Sequence, residues 1–342
     1  MSTNLARETG PQLRPNRPRL GFLGVGWIGR DRMAALVNED CAEIVAIADP
    51  ATDALREASR LAPGALLSDR PDDLFDCAID GVVIATPSAV HAHQTTAALE
   101  RGLAVFCQKP LARTRQEAQN VVDAARRADR LLSVDLSYRH VRGMAEVREA
   151  IRRGELGEIY ALDLSFHNAY GPDKPWFYDL AQSGGGCVMD LGTHLVDLAL
   201  WMLDFPEVGH VTSRLYAQGK PVAKPATQVE DYAVAEIEFR SGAVARIACS
   251  WRLSAGRDAV IDFAFYGTKG AAALRNVDGS FWDFVVERFH GTRREVVASY
   301  PDAWGGRALI DWVRRLGENG RFAPEARQFV EVAAVVDRIY GR

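Results

Sequence analysis

From Ser183 to Asp197 the chain reads Ser-Gly-Gly-Gly-Cys-Val-Met-Asp-Leu-Gly-Thr-His-Leu-Val-Asp, a glycine run that opens into a helical pattern. At helical spacing Asp190, His194, Asp197 and Trp201 share one stripe, and Leu191, Leu195, Leu198 and Met202 share a neighbouring one. The leucine stripe is a core face. The other stripe sets an imidazole one turn above a carboxylate, a pair suited to orienting the ring and to general acid–base work. One histidine with two carboxylates is a poor zinc set, so no metal is expected.

Two further groups carry chemistry. The apolar run from Leu103 to Cys107 ends in Gln108-Lys109-Pro110, which places an ammonium at a strand end, where it can hold a substrate oxygen; an ordinary solvated lysine is the plainer alternative. Gly24-Val25-Gly26-Trp27-Ile28-Gly29 lies between a strand and a helix, with one glycine for the turn, one for approach to a pyrophosphate and one for helix packing. Asp49 ends the next strand twenty residues beyond Gly29, where it can accept hydrogen bonds from an adenosine ribose or simply cap the following helix. Its charge opposes a 2′-phosphate and no arginine follows it immediately, so NAD is favoured over NADP. Thr86 and Pro87 end a third strand and either line the dinucleotide or form a plain strand-to-helix cap. His91 and His93 point to different helix faces, a poor metal pair, and His91 is the one placed to reach the cleft.

The elements that must position these groups are legible in the apolar pattern. From Arg19 short apolar runs alternate with amphipathic stretches, as in parallel strands joined by crossover helices. Strands are predicted near 19–24, 44–49, 81–85, 103–107 and 131–136, with helices near 27–38, 51–62, 88–101, 114–129 and 140–153. Beyond about residue 157 the period becomes two, as in Ala233, Ala235, Ile237 and Phe239, then a Ser241-Gly242 turn, then Ala245, Ile247, Cys249 and Trp251. This predicts an antiparallel sheet. Two amphipathic helices near 306–318 and 324–339 close the chain and are expected on one face of that sheet. The division is thus a polar Arg- and Pro-rich tail over 1–18, expected to be disordered, a dinucleotide-binding α/β domain over 19–137 and an α+β domain over 138–342 that binds substrate and oligomerises. The uncovered sheet face, if apolar, invites a second subunit.

Bulk properties exclude several roles. The 342 residues carry 41 Lys and Arg against 45 Asp and Glu, so the net charge of −4 provides no field for nucleic acid or an acidic membrane surface. No apolar run approaches the roughly 20 residues that cross a bilayer, and no signal-peptide pattern opens the chain. The five cysteines are odd in number, scattered and without C-x-x-C spacing, which points to reduced thiols in the cytoplasm.

The glycine fingerprint, Ala85-Thr86-Pro87, the Lys109-Pro110 pair and the Asp190 to His194 to Asp197 helix together resemble the Gfo/Idh/MocA family, named for glucose-fructose oxidoreductase, inositol dehydrogenase and a rhizopine-catabolism protein. The resemblance covers essentially Arg19 to the C-terminus. It implies a Rossmann domain, a second α/β domain with a large open sheet, and dimers or tetramers formed through that sheet. It also implies NAD-dependent hydride transfer to or from a secondary hydroxyl or ketone of a sugar or cyclic polyol. Lys109, Asp190 and His194 would be catalytic, with His194 as general base, Asp190 positioning substrate and supporting the ring, and Lys109 polarising the oxygen. Cofactor contacts would come from Gly24, Gly26, Trp27, Ile28, Gly29, Asp49, Thr86, Pro87, His91, Gln108 and Lys109. Substrate contacts would come from Tyr138, Lys174 and Trp176 beside Asp190 and His194. The family usually has Glu before the Lys-Pro pair; Gln108 keeps the hydrogen-bonding shape and removes a charge beside Lys109. The same fold also implies two rivals, an NAD-dependent redox-assisted glycosidase and a non-catalytic dinucleotide-sensing regulator, and the intact Lys109, Asp190 and His194 set speaks against the second.

Overall fold

A computed structural model describes residues 17–224 and 226–342. Six strands, β1 (Arg19–Leu23), β2 (Glu43–Ala48), β3 (Leu66–Ser68), β4 (Gly81–Ile84), β5 (Ala104–Cys107) and β6 (Leu132–Val134), form a parallel sheet in the order β3-β2-β1-β4-β5-β6. The helices between them are α1 (Trp27–Glu39), α2 (Thr52–Ser59), α3 (Pro71–Phe75), α4 (Ser88–Glu100) and α5 (Arg115–Ala128). β4 and β5 are buried along their whole length, which is why they read as unbroken apolar runs. The strand order reverses between β1 and β4, and the crevice at such a switch point lies beyond the carboxyl ends of the strands.

After α6 (Met144–Arg152) the chain builds a sheet of nine strands: β7 (Ile159–Asn168), β8 (Val208–Ala217), β9 (Lys220–Pro221), β10 (Tyr232–Phe239), β11 (Val244–Ser250), β12 (Ala259–Gly267), β13 (Ala271–Asn276), β14 (Phe284–His290) and β15 (Arg293–Ser299). Only the β7–β11 pair is parallel. One face is covered by α6 and by α8 (Thr193–Met202), which follows the one-turn α7 (Leu180–Ser183), and by α10 (Arg327–Tyr340). The other face is not apolar as the alternation had allowed: Tyr216, Tyr232, Val234 and Ala248 alternate there with charged side chains such as the Asp163–Arg246 pair at 2.7 Å.

Three sequence expectations are corrected. β3 and α3 went unpredicted because three half-exposed residues and a five-residue helix leave no period to detect. Arg17 and Pro18 do not belong to the predicted tail: Arg17 donates to the carbonyl of Ala42 at 2.8 Å, and Glu43 N–H donates to Pro18 at 2.9 Å. The rest of that tail, residues 1–16, lies outside the described residues. Lastly, α9 (Arg307–Glu318) does not join the helices on the mixed sheet. It returns to the parallel sheet, where Ala308, Leu309, Trp312 and Val313 enter the core around Phe22, Val83 and Phe106. Trp312 is fully buried, its ring centroid 5.9 Å from that of Phe106.

That core contact yields a stability prediction. Trp312→Ala should lower unfolding stability by about 3–5 kcal/mol, and Trp312→Phe by clearly less, as read from urea titrations. Equal midpoints for the two variants would contradict it.

Candidate active site

A cleft of about 1210 Å³ runs along the carboxyl ends of β1, β4 and β5 and is closed on its far side by the end of β7, the loop around Trp176 and the turn before α8. Gly24 stands at φ +86°, and a Cβ there would lie 2.6 Å from the Ala85 carbonyl, so only glycine makes this turn without strain. α1 then starts beyond Gly26 with no side-chain cap and no acidic residue in its first turn. A side chain on Gly26 would meet nothing within 4 Å, which leaves the helix N–H groups facing open cleft, the arrangement that receives a pyrophosphate. Trp27 and Ile28 line the cleft, and Gly29 is packed behind the turn. Asp49 ties this region together, its Oδ2 accepting from Val25 N–H and its Oδ1 from Ala51 N–H, both at 2.8 Å.

The strand ends supply the next layer. Thr86 donates from its hydroxyl to Gln94 Oε1 at 2.6 Å, and Pro87 caps α4. His91 is buried, with Nδ1 2.7 Å from the Pro110 carbonyl and Nε2 2.7 Å from the Thr86 carbonyl. Both ring nitrogens face carbonyls, to one of which the uncharged imidazole donates, so the ring sits between the β4 and β5 turns while still lining the cleft. The Lys109–Pro110 peptide of the second turn is cis. Gln108 is also buried and turned inward, donating from Nε2 to Asp135 Oδ2 at 2.5 Å. Asp135 takes Arg32 Nε at 2.6 Å and the Ser137 hydroxyl at 2.9 Å as well. Gln108 thus faces a carboxylate one strand over that is already paired with a guanidinium.

Lys109 Nζ donates to the Asp190 carbonyl at 2.8 Å and to Asp190 Oδ1 at 2.6 Å. Trp251 holds the other carboxylate oxygen, its indole N–H 3.0 Å from Oδ2. Asp190 sits in a π-turn, Val188–Gly192, that runs into α8. π-turns recur at functional sites, and the wider turn takes Asp190 out of the simple i,i+4 register with His194. Among the described residues no hydrogen bond joins the two, so the expected imidazole–carboxylate contact is not made; the carboxylate serves Lys109 and Trp251. His194 lines the cleft, its ring edge-to-face with Tyr138 at 5.0 Å. Burial first, then the charges of Lys109 and Arg32, hold its proton affinity well below the ordinary histidine value. Both causes favour the uncharged imidazole.

The substrate-side residues divide. Tyr138 lines the cleft beside His194, its ring packed among Phe166, Phe263, Phe284 and Trp304. Lys174 stands exposed at the rim, paired with Asp173 at 3.0 Å. Trp176 stacks on Phe177 with centroids 3.8 Å apart, which covers one face of the indole. Asp197, on the predicted stripe, is buried in an ion pair with Arg139 behind the site.

Sequence reading missed Trp251, Glu230 and Tyr340. Glu230 is fully buried and its carboxylate accepts the N–H groups of Gly186 and Val188, each at 2.9 Å, and the Tyr340 hydroxyl at 2.9 Å. Burial pushes this carboxyl up from the ordinary value, and those donors pull the other way. Tyr340 in turn accepts Met189 N–H at 3.0 Å. A Cβ on Gly186 would lie 1.8 Å from the Glu230 carbonyl oxygen, so the glycine run exists to let this loop press against its anchor. The partners are too distant in sequence for spacing to reveal them.

Residues 19–136 match the oxidoreductase family with an NAD-binding Rossmann fold, and residues 144–273 match the GFO/IDH/MocA C-terminal domain. The chain is similar to the D-glucoside 3-dehydrogenase of Escherichia coli, 29% identical over 269 residues that span 75% of this chain and 76% of that protein. It is 26% identical to the myo-inositol 2-dehydrogenase of Thermotoga maritima over 264 residues, 76% of this chain and 75% of that one. Among solved structures, levoglucosan dehydrogenase in complex with NADH superposes with a TM-score of 0.79 at 23% identity, over 94% of this chain and 95% of that chain, an agreement of fold.

The Glu230 anchor generates a prediction for the loop it holds. Gly186→Ala should abolish turnover while NADH binding, followed by nucleotide fluorescence, stays within about twofold. Tyr340→Phe leaves Met189 N–H without its acceptor and should lower stability by about 1–3 kcal/mol.

Proposed function

The chain belongs to the Gfo/Idh/MocA family of NAD-binding oxidoreductases, and on that premise we propose that it interconverts a secondary alcohol and a ketone on a sugar or cyclic polyol, with Lys109, Asp190 and His194 as its catalytic group. The observation that carries this reading is that buried His194 lines the same cleft as the Lys109–Asp190 pair, beside the strand ends where the nicotinamide would lie.

The cleft suits NAD. Its phosphates would meet the N–H groups beyond Gly26, its adenosine would approach Asp49, and Thr86 and Pro87 would line its path. NAD bound there supplies the hydride acceptor or donor. The protein handles the proton. An ammonium has three N–H donors, and two on Lys109 are committed to Asp190, which leaves one for the reacting oxygen. In the oxidative direction His194 takes the hydroxyl proton while Lys109 steadies the oxygen on which negative charge develops; reduction reverses the flow. Asp190, fixed by Trp251, sets where Lys109 points. Trp176, in the lining of the cleft, offers an indole for the C–H face of a sugar ring.

Assembly through the open face of the nine-stranded sheet, as a homodimer or homotetramer, fits the small and aromatic side chains set there among paired charges. The five cysteines, all free, suit a reducing cytoplasm. Among the described residues no helix is long and apolar enough to cross a membrane.

Two measurements test the reading. NAD reduction followed by absorbance across inositols, aldoses and glycosides should reveal a substrate, and Lys109→Ala should lose more than about 100-fold in rate. A variant as active as the parent would remove Lys109 from the mechanism. Because His194 must be unprotonated to accept a proton, its depressed affinity keeps it competent as the pH falls. The acid limb of kcat should therefore lie below ~6.5, the ordinary histidine value; a midpoint above that value, lost in His194→Gln, would contradict this.

A further inference from the structure

We infer that Arg113, seconded by Arg342, is a positioning residue that sets the Lys109–Asp190 pair from outside the cleft; this rests on the catalytic role proposed above for that pair. Lys109 Nζ donates to the Asp190 backbone carbonyl as well as to its carboxylate, so any slide of the glycine loop against the end of β5 moves the ammonium. Something must hold those two stretches in register.

Arg113 lies four residues beyond Lys109 and is rooted at the start of α5. Thr114 caps that helix by accepting Glu117 N–H at 3.1 Å, and the Glu117 carboxylate reaches back, one oxygen taking Arg113 N–H at 2.9 Å and the other Arg113 Nη2 at 2.7 Å. The guanidinium so held donates from Nη1 to the Ala181 carbonyl at 2.5 Å, on the one-turn α7 that leads into the glycine run. Gly184, the cap of α7, approaches so closely that a Cβ there would lie 2.7 Å from Arg113 Cβ. Arg342 closes the same joint from beyond α10, donating from Nη2 to the Arg113 carbonyl at 2.6 Å and to the Gly184 carbonyl at 3.2 Å. Asp337 steadies it, one oxygen taking Arg342 Nε at 2.9 Å and the other Arg115 N–H at 2.8 Å.

Among the described residues, the Arg113–Ala181 bond is the one hydrogen bond, apart from those of Lys109, that runs directly between residues 109–115 and 180–190. Glu230 holds the glycine loop alone, whereas the two arginines hold it against the stretch that carries Lys109. Neither arginine lines the cleft, so neither meets substrate or cofactor there. Each side chain is 29% exposed, and ion pairs so wetted add little to stability. Their effect falls on geometry, where a displacement of about 1 Å can cost on the order of 100-fold in rate.

The experiment measures kcat, KM and the Kd for NAD on the holoenzyme with a reactive member of the panel above, such as myo-inositol, glucose or a methyl glucoside. Arg113→Met keeps the stem that packs on Gly184 and removes the guanidinium; kcat should fall at least about 10-fold, with KM and the NAD Kd within about threefold of the parent. In a Lys109→Ala background no pair is left to position, and the same substitution should cost less than about twofold. Arg342→Met, on a separate element, should show the same split with a smaller loss, and it carries the test should Arg113→Met fail to fold. A folded variant with the parental kcat, or an equal loss in both backgrounds, would overturn the inference and leave the oxidoreductase reading intact. Lys109→Ala as active as the parent would overturn the reading and the inference together.

Discussion

The bond between the Lys109 ammonium and the Asp190 carboxylate joins the end of β5 in one sheet to the turn before α8 on the other, and the cleft is arranged around it. Both side chains are more than four-fifths buried, so an unpaired charge on either would be strongly unfavourable. The surroundings secure each end. His91 fixes the turn that carries Lys109 by bridging the carbonyls on either side of it. Trp251 takes the second oxygen of Asp190, and Glu230 holds the backbone from which Asp190 projects. A contact between two sheets thus becomes a fixed direction for one remaining N–H.

What could be read from the sequence follows from the range of the forces involved. Residues that act through local geometry were visible: the glycine turn, the strand ends at Thr86 and Lys109, and the helix with Asp190 and His194. Their positions are set by neighbours within a few residues. Glu230, Tyr340 and Trp251 were not visible, because each meets the turn that carries Asp190 from a segment dozens of residues away and a buried carboxylate has no periodic signature. The pairing of Asp190 with His194 was expected from ideal helix geometry and failed because the helix begins with a π-turn. His91 reaches the cleft as the helical spacing implied, while its place between the Thr86 and Pro110 carbonyls was not legible, since a helical wheel gives the direction of a side chain and says nothing of carbonyls that converge on it.

Gln108 shows how a network decides what a single side chain means. Read alone, an amide at that position suggests an unopposed lysine. In three dimensions the amide hands its hydrogen bond to Asp135 at the end of β6, and Asp135 is held by Arg32 from α1. The Asp135 carboxylate at the end of β6 thus joins α1, β5 and β6, with the Arg32 guanidinium matching its charge.

The return of α9 to the parallel sheet bears on how such enzymes can be recombined. A crossover placed where the first sheet ends, near residue 137, looks like a natural joint, yet the Phe106 side of that sheet would then be roofed by a Trp312 from the other parent. The seam between the two halves follows packed surfaces and crosses the sequence three times, and the opening of α10 adds Ala326 and Val330 to the core beside α5. A chimaera keeps the first sheet's core closed only when α9 and the opening of α10 travel with it.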